Sequence, residues 1–273
     1  MADRRSSEAI AVDYRAARAA NDAAAMARFQ NEEACVVLLS MLEALARDEG
    51  SFIHRVALKG GILMAGELGS PRASADVDAT SGAQKRVDVD VVAREIVRAG
   101  RRFGIRLAGE PERTRGGHVV NLTFDSLTGR GIAKVEISVR EDLVLAIRDA
   151  VIDLTSVGLS VFSVPAVAEV ELVAEKLRCL NQRAQPRDLF DLRLYLVDSG
   201  WHLEPHDLRA AVEGKLATMR IKRWTPEAWR VHLAEIESLW EPTLLQWVAP
   251  DRLPAFAEAV REVDRRLRQL GLG

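Results

Sequence analysis

Cysteine is scarce in this chain: there are two in 273 residues, Cys35 and Cys179. Two thiols cannot staple a small secreted fold, and each sits in an apolar pattern of helical spacing, so both are expected as reduced core residues. Long apolar runs are missing too. No stretch reaches the ~18 consecutive apolar residues of a membrane-spanning helix. The opening Met1-Ala2-Asp3-Arg4-Arg5-Ser6 has no apolar segment of the kind a secretory leader carries. Neither secretion nor membrane insertion is expected, and the cytoplasm is the expected compartment. An excess of one charge is likewise absent, with 38 Lys and Arg against 40 Asp and Glu, so no global field advertises a polyanionic partner. The histidines, His54, His118, His202, His206 and His232, show no metal-ligand spacing.

What the chain does have is an ordinary folding composition, 48% hydrophobic and 29% charged, at a length that fits one large domain or two modest ones. Residues 7–48, rich in Ala, Glu and Arg, read as two helices around Asn21 and Asn31. Phe52 to Leu58 reads as a strand, Gly60-Gly61 as its turn, and Ile62 to Leu68 as a short helix stopped by Gly69-Ser70-Pro71. Asp76 to Thr80 is the second strand, and Asp88 to Phe103 is an amphipathic helix closed by Gly104. His118 to Asp125 and Ile132 to Val139 alternate around Thr128-Gly129-Arg130-Gly131 and read as a hairpin. A further strand is expected near Val161 to Val164, and beyond Pro165 the pattern is helical. The expected class is α/β (α+β), a mixed sheet flanked by helices. N-terminal helices occupy 1–49, an α/β core 50–164, and a helical domain that contributes to the active site 165–273.

The stretch Val56-Ala57-Leu58-Lys59-Gly60-Gly61 delivers two glycines to a turn, and Asp76-Val77-Asp78 begins fifteen residues after Gly61. Residues i and i+2 of a strand point to the same side, so both carboxylates converge on one spot. At about 5 Å they repel by roughly 3 kcal/mol at an effective dielectric near 20. A divalent cation between them, or good screening by water, makes that tolerable. Glycines at a helix start plus an acidic pair holding Mg²⁺ make a grip for a nucleoside triphosphate. Glu136, flanked by Val135 and Ile137, faces opposite its apolar neighbours and is a third candidate carboxylate for an Mg²⁺ cradle. It also reads as a solvated outer-face residue. Asp88-Val89-Asp90 has the same spacing but precedes a helix, where capping and first-turn charge account for it.

A second cluster runs from Glu169 to Leu192. On its first helix Glu171, Glu175 and Arg178 fall at i, i+4 and i+7, while Lys176 stands about 100° round from Glu175, able to aim at a phosphate. On the next helix Asp188 and Asp191 share a face, with Arg187 in the first turn. Taken alone, this run also reads as a solvated helical hairpin laced with ion pairs.

Together the two clusters carry a resemblance. Leu58-Lys59-Gly60-Gly61, fourteen residues, then Asp76-Val77-Asp78, with Pro71-Arg72-Ala73-Ser74 just before the acidic pair, resembles the AbiEii-type nucleotidyltransferase toxins. These include the mycobacterial MenT branch and belong to the DNA polymerase β-like superfamily. Ala174-Glu175-Lys176-Leu177, Asn181-Gln182-Arg183 and Pro186-Arg187-Asp188-Leu189-Phe190-Asp191-Leu192 are similar to that family's second hallmark, in the expected order. The resemblance implies a polymerase β-like nucleotidyltransferase core in which Gly60 and Gly61 shape the triphosphate turn and Asp76 and Asp78 bind metal. It also implies Lys176 as the contact to nucleotide phosphates, Asp191 as a later essential carboxylate, and Glu136 as the third metal carboxylate. Lys59, Arg72, Ser74 and Asp188 fall within the nucleotide-binding motifs. One departure is Ile62-Leu63-Met64, where relatives often carry Thr-Ala-Leu, so a hydroxyl that could touch phosphate is lost. Ser74 is expected as an exposed hydroxyl beside the site, where phosphorylation would push about two negative charges toward the carboxylates.

The implied reaction moves NMP from an NTP, with Mg²⁺ (or Mn²⁺) and release of pyrophosphate, to an RNA acceptor, the 3′ end of tRNA. Blocked aminoacylation would then arrest translation, and a cognate antitoxin would neutralise the enzyme. Clustered cations support an RNA acceptor: Arg94, Arg98, Arg101, Arg102 and Arg106, then Arg113, Arg115 and Arg130, and later Arg183, Arg187, Arg193, Lys215, Arg220, Lys222 and Arg223. An antibiotic or protein hydroxyl is the alternative acceptor, and a non-catalytic binding protein with a decayed site is a third reading. The five tryptophans, all in the C-terminal half, are expected as core or interface anchors.

Overall fold

The computed structural model describes residues 5–82, 87–139, 143–217, 224–225 and 227–273. It divides into two compact units. The first comprises Met1–Glu141, Ile147–Ala166 and Gln246–Ala249, and the second Asp142–Ala146, Val167–Leu245 and Pro250–Gly273. The N-terminal helices thus share a unit with the sheet.

The first unit opens with α1 (Ser7–Ala19) and α2 (Ala23–Ala46). Ser6 caps α1 by accepting from the Ala9 N–H, and Asp22 caps α2 by accepting from the Ala25 N–H at 2.9 Å. Between them Asn21 takes φ +54, the left-handed conformation that Asn tolerates. Asn31 does not break the helix. It lies within α2 and donates to the Gln246 carbonyl at 2.9 Å. Ile10, Ala17, Phe29 and Val36 pack the two helices together. From Glu33 onward α2 is buried nearly all round, so its two buried carboxylates need partners. Glu33 accepts from the Leu127 and Thr128 N–H groups at 2.8 and 2.9 Å. Glu43 accepts from the N–H and hydroxyl of Ser160 and pairs with Arg47 and Arg102. Burial works against the Glu43 charge, but the Ser160 bonds and the two arginines outweigh it and hold the carboxyl below its usual value.

The sheet contains β1 (Ala57–Lys59), β2 (Asp76–Thr80), β3 (Arg106–Leu107), β4 (Glu112–Arg113), β5 (Gly117–Ser126), β6 (Gly129–Ser138), β7 (Arg148–Asp153) and β8 (Val161–Ala166). Their order is β3-β5-β6-β2-β1-β8-β7, with β4 on β5. β2–β6 and β1–β8 are parallel and the other pairings antiparallel, so the sheet is mixed, as expected. Alternation sorts it into two faces. Val77, Ala79, Val120, Leu122, Val135, Ile137 and Ile152 are buried on one, against the layer of α2, α3 (Gly60–Glu67) and α4 (Val89–Ala99). Asp76, Asp78, Lys134 and Glu136 project from the other.

Besides Asn31, four local expectations differ. The helix expected over Asp88 to Phe103 ends at Ala99 and gives way to a 3₁₀ turn, Arg101–Phe103. Phe52–Arg55 is a 3₁₀ turn rather than strand, because Glu95 accepts from both the Ser51 hydroxyl and the Phe52 N–H. The hairpin turns at Leu127-Thr128, where Glu33 holds both amides, and not at Thr128-Gly129-Arg130-Gly131. The segment after Pro165 is still strand to Ala166, and helix begins only at Glu169.

The second unit is helical: α5 (Glu169–Gln182), α6 (Pro186–Arg193) running into a π-helical turn Leu194–Asp198, α7 (Pro205–Ala217), α8 (Leu233–Leu244) and α9 (Phe256–Gln269). Trp224, Trp229 and Trp240 are buried anchors. The Trp224 indole donates to the Leu272 carbonyl and that of Trp240 to Pro254, with Phe190 and Phe256 against the Trp240 ring. Cys35 and Cys179 are both free and buried.

Candidate active site

Lys59 ends β1, Gly60 turns the chain at φ +72, and α3 begins with no side-chain cap at its N-terminus. A Cβ at Gly60 would lie 2.5 Å from Asp78 Oδ2 and 3.1 Å from Asp78 Cβ. A Cβ at Gly61 would lie 2.6 Å from Arg72 Nη2 and 2.8 Å from Ser74 Oγ. The two glycines therefore bring a backbone turn, a carboxylate, a guanidinium and a hydroxyl to one place, and any larger residue would fill the cradle. Lys59 stands opposite Asp78 in the β1–β2 register, on the same face. Arg72 is buried and its Nη1 donates to the Ala73 carbonyl. Ser74 is a correction: it is 6% exposed and its hydroxyl donates to the Asp76 carbonyl at 3.1 Å. It is a brace of the turn rather than an exposed acceptor for phosphate.

Asp76 and Asp78 project half-exposed from one face of β2, and the β2–β6 register sets Asp76 opposite Lys134 and Asp78 opposite Glu136. The three sequence-predicted carboxylates share that face. They do not gather into a three-carboxylate cradle. Among the described residues no group of three or more His, Cys, Asp or Glu side chains is arranged to hold a metal. Glu136 instead accepts from Lys134 Nζ at 3.0 Å. Burial disfavours the Lys134 charge, yet the bond to Glu136 and the nearby Asp76 and Asp78 raise its pKa above the usual lysine value. Sequence reasoning passed over Lys134; its signal was the i−2 spacing from Glu136, which puts both on one strand face. The aspartate pair beside the glycine cradle still fits Mg²⁺, which keeps waters and is usually held by one or two carboxylates plus substrate phosphates.

In the helical unit Lys176 Nζ lies 2.7 Å from Asp191 and 3.2 Å from Asp188, with both aspartates 0% exposed. Arg183 forks onto Asp188, Nε to Oδ2 at 2.8 Å and Nη2 to Oδ1 at 3.2 Å. Burial opposes the Lys176 ammonium, but Asp191 and Asp188 override it and hold the group charged. Burial likewise opposes the Asp188 carboxylate, and Lys176 and Arg183 keep its pKa below the usual range. Two buried anions meet two cations in a closed set. The solvated hairpin foreseen for this run is thus only partly present. Glu175 does pair with Arg178 at the surface, but Glu171 is buried against Lys215 at 3.1 Å. Lys215, and Arg193 with its partners Glu262 and Asp198, are engaged internally rather than offered to RNA. Arg220, Lys222 and Arg223 lie outside the described residues.

Residues 43–262 match a family model described as the nucleotidyl transferase AbiEii toxin of a type IV toxin–antitoxin system. The chain belongs to this family. As an AbiEii-family protein it is a nucleotidyltransferase of a toxin–antitoxin system, and an antitoxin is its implied counterpart. Its fold is similar to MenT4, a nucleotidyltransferase toxin from Mycobacterium tuberculosis H37Rv, with TM-score 0.61, 21% identity, and coverage of 98% of this chain and 90% of that one. JHP933 from Helicobacter pylori is similar over 86% of this chain and 89% of its own, at 16% identity and TM-score 0.57. No curated protein matches the chain. In this AbiEii-family chain no helix among the described residues is long and apolar enough to cross a membrane.

Proposed function

We propose that this AbiEii-family nucleotidyltransferase transfers NMP from an NTP to an RNA acceptor, the 3′ end of tRNA, and so blocks aminoacylation and translation. The observation that carries the reading is the cradle in which Gly60 meets the Asp78 carboxylate and Gly61 meets Arg72 and Ser74. Backbone N–H groups at the start of α3 and the Arg72 guanidinium suit the triphosphate, with Lys59 beside it. Asp76 and Asp78 would hold Mg²⁺, which when bound neutralises phosphate charge and favours ionisation of the attacking hydroxyl. The acceptor hydroxyl gives up its proton to solvent, its oxygen forms a bond to the α-phosphorus, the bond to the bridging oxygen breaks, and pyrophosphate leaves with the electron pair. Lys134, held charged by Glu136 and the aspartates, balances the acidic face while substrates exchange. Within the helical unit, Asp188 and Asp191 keep Lys176 charged and oriented.

The test incubates the protein with total RNA and each of four α-labelled NTPs in Mg²⁺. Label is expected in RNA of tRNA size, lost with EDTA and with Asp76→Ala. Label appearing in protein or small molecules instead, or surviving Asp76→Ala, refutes the reading.

A further inference from the structure

A groove in the first unit holds arginines that the site above does not use. α4 buries Val89, Val92, Ala93 and Ile96 and turns Arg94 and Arg98 outward, one helical turn apart. The 3₁₀ turn Arg101–Phe103 adds Arg101, and Gly104, at φ +63, reverses the chain into β3 so that Arg106 lines the same groove. The groove encloses about 800 Å³ over an apolar floor that includes Val97, Ile105 and Leu107. Arg98 is paired with Asp48 and Arg106 with Asp125, and Asp90 in the lining is taken by Arg113 at 3.0 Å. Arg94 and Arg101 make no ion pair among the described residues.

A line of polar side chains continues past the helix, with Arg106 and Lys134 paired to Asp125 and Glu136. Arg106 lies opposite Thr123, and Thr123 opposite Ile132, so Arg106 is on the sheet face that carries Lys134, Asp76 and Asp78. Arg130 and Lys134 lie on that face of β6, and between them Ile132 stands 76% exposed, an apolar side chain with no packing role. Three strand spacings, about 14 Å, separate β3 from β2.

We infer that the acceptor RNA strand enters through the α4–β3 groove and crosses the β5–β6 ribbon to Asp76 and Asp78. Arg94 and Arg101 meet its phosphates, and a base or ribose rests on Ile132. This deepens the proposed function and rests on it. Arg94 is near enough to Asp88 to help lower its pKa, but neither Arg94 nor Arg101 has a salt bridge to give up on meeting phosphate, and their release of counterions makes the contact salt-dependent. The apolar floor and Ile132 suit the sugar and base surfaces of a strand. A free nucleotide would not engage a track three strands wide.

The experiment titrates fluorescently labelled total tRNA against the full chain from 50 to 200 mM salt. The variants are Arg94→Gln/Arg101→Gln, Ile132→Ser, and Arg15→Gln/Arg18→Gln as an exposed control of equal charge change. Each lost phosphate contact lowers the salt slope by about 0.9, so the affinity drop across this range shrinks about twelvefold in the paired groove variant. Its KM for RNA rises while its KM for NTP holds. Ile132→Ser weakens binding at every salt without changing the slope. If RNA is labelled and the groove variant behaves like the control, the path is wrong and the proposed function stands. If wild type labels no RNA yet the groove variant loses RNA binding, the proposed acceptor reaction fails and the groove stands as an RNA surface. If wild type binds no RNA, both fall.

Discussion

Replacing Gly60 by alanine tests the cradle directly. At φ +72 an L side chain costs about 1–2 kcal/mol, which in a chain of this size lowers Tm by only about 2–8 °C. The larger effect is local. The new Cβ would sit 2.5 Å from Asp78 Oδ2, whereas ordinary contact starts at 3.4 Å, so the carboxylate must retreat by nearly 1 Å. A misplacement of that size at a reacting centre costs about 100-fold. Gly60→Ala is therefore expected to stay folded by urea denaturation while NMP transfer falls about 100-fold or more. Combined with Asp78→Ala it should add almost nothing, since the group it displaces is already gone. A Gly60→Ala enzyme with undiminished transfer and an unchanged KM for NTP would refute the reasoning.

Lys176→Met leaves two buried carboxylates with Arg183 as the remaining cation of the set, and is expected to destabilise the fold by about 3–5 kcal/mol in urea unfolding. An unshifted midpoint would mean that Lys176 does not hold those charges. Glu136→Gln should cost transfer less than about tenfold because Glu136 pairs with Lys134, whereas Asp76→Asn should cost about a hundredfold or more. Equal losses in single-turnover assays would return Glu136 to the metal site. The Glu43 carboxyl is depressed in the fold, so its stabilising contribution is complete above its ordinary pKa of 4.5 and drains away as pH falls below it. Glu43→Gln should accordingly flatten the acid limb of Tm below pH 4.5, and a parallel limb would contradict that.

What the sequence disclosed was local in origin. The glycine pair, the alternation through Asp76-Val77-Asp78 and the cap at Asp88 follow from rules that span a few residues, and each is found where expected. Strand β7 escaped notice because only Ala150 and Ile152 of Arg148–Asp153 are buried, and its outward Asp149, Val151 and Asp153 mask the apolar period. The burial of Lys176 could not be read from its own helix, because the charges that fix it arrive from α6. The hairpin turn was displaced by a carboxylate 94 residues upstream, which no window of neighbouring sequence contains.

That carboxylate has a wider consequence. Glu33 clasps the tip of the very ribbon whose flat side presents Lys134 and Glu136, so removing the first two helices would strip away more than a decoration. A shortened protein would keep every residue of the acidic face yet lose the anchor that stops its longest hairpin from sliding in register.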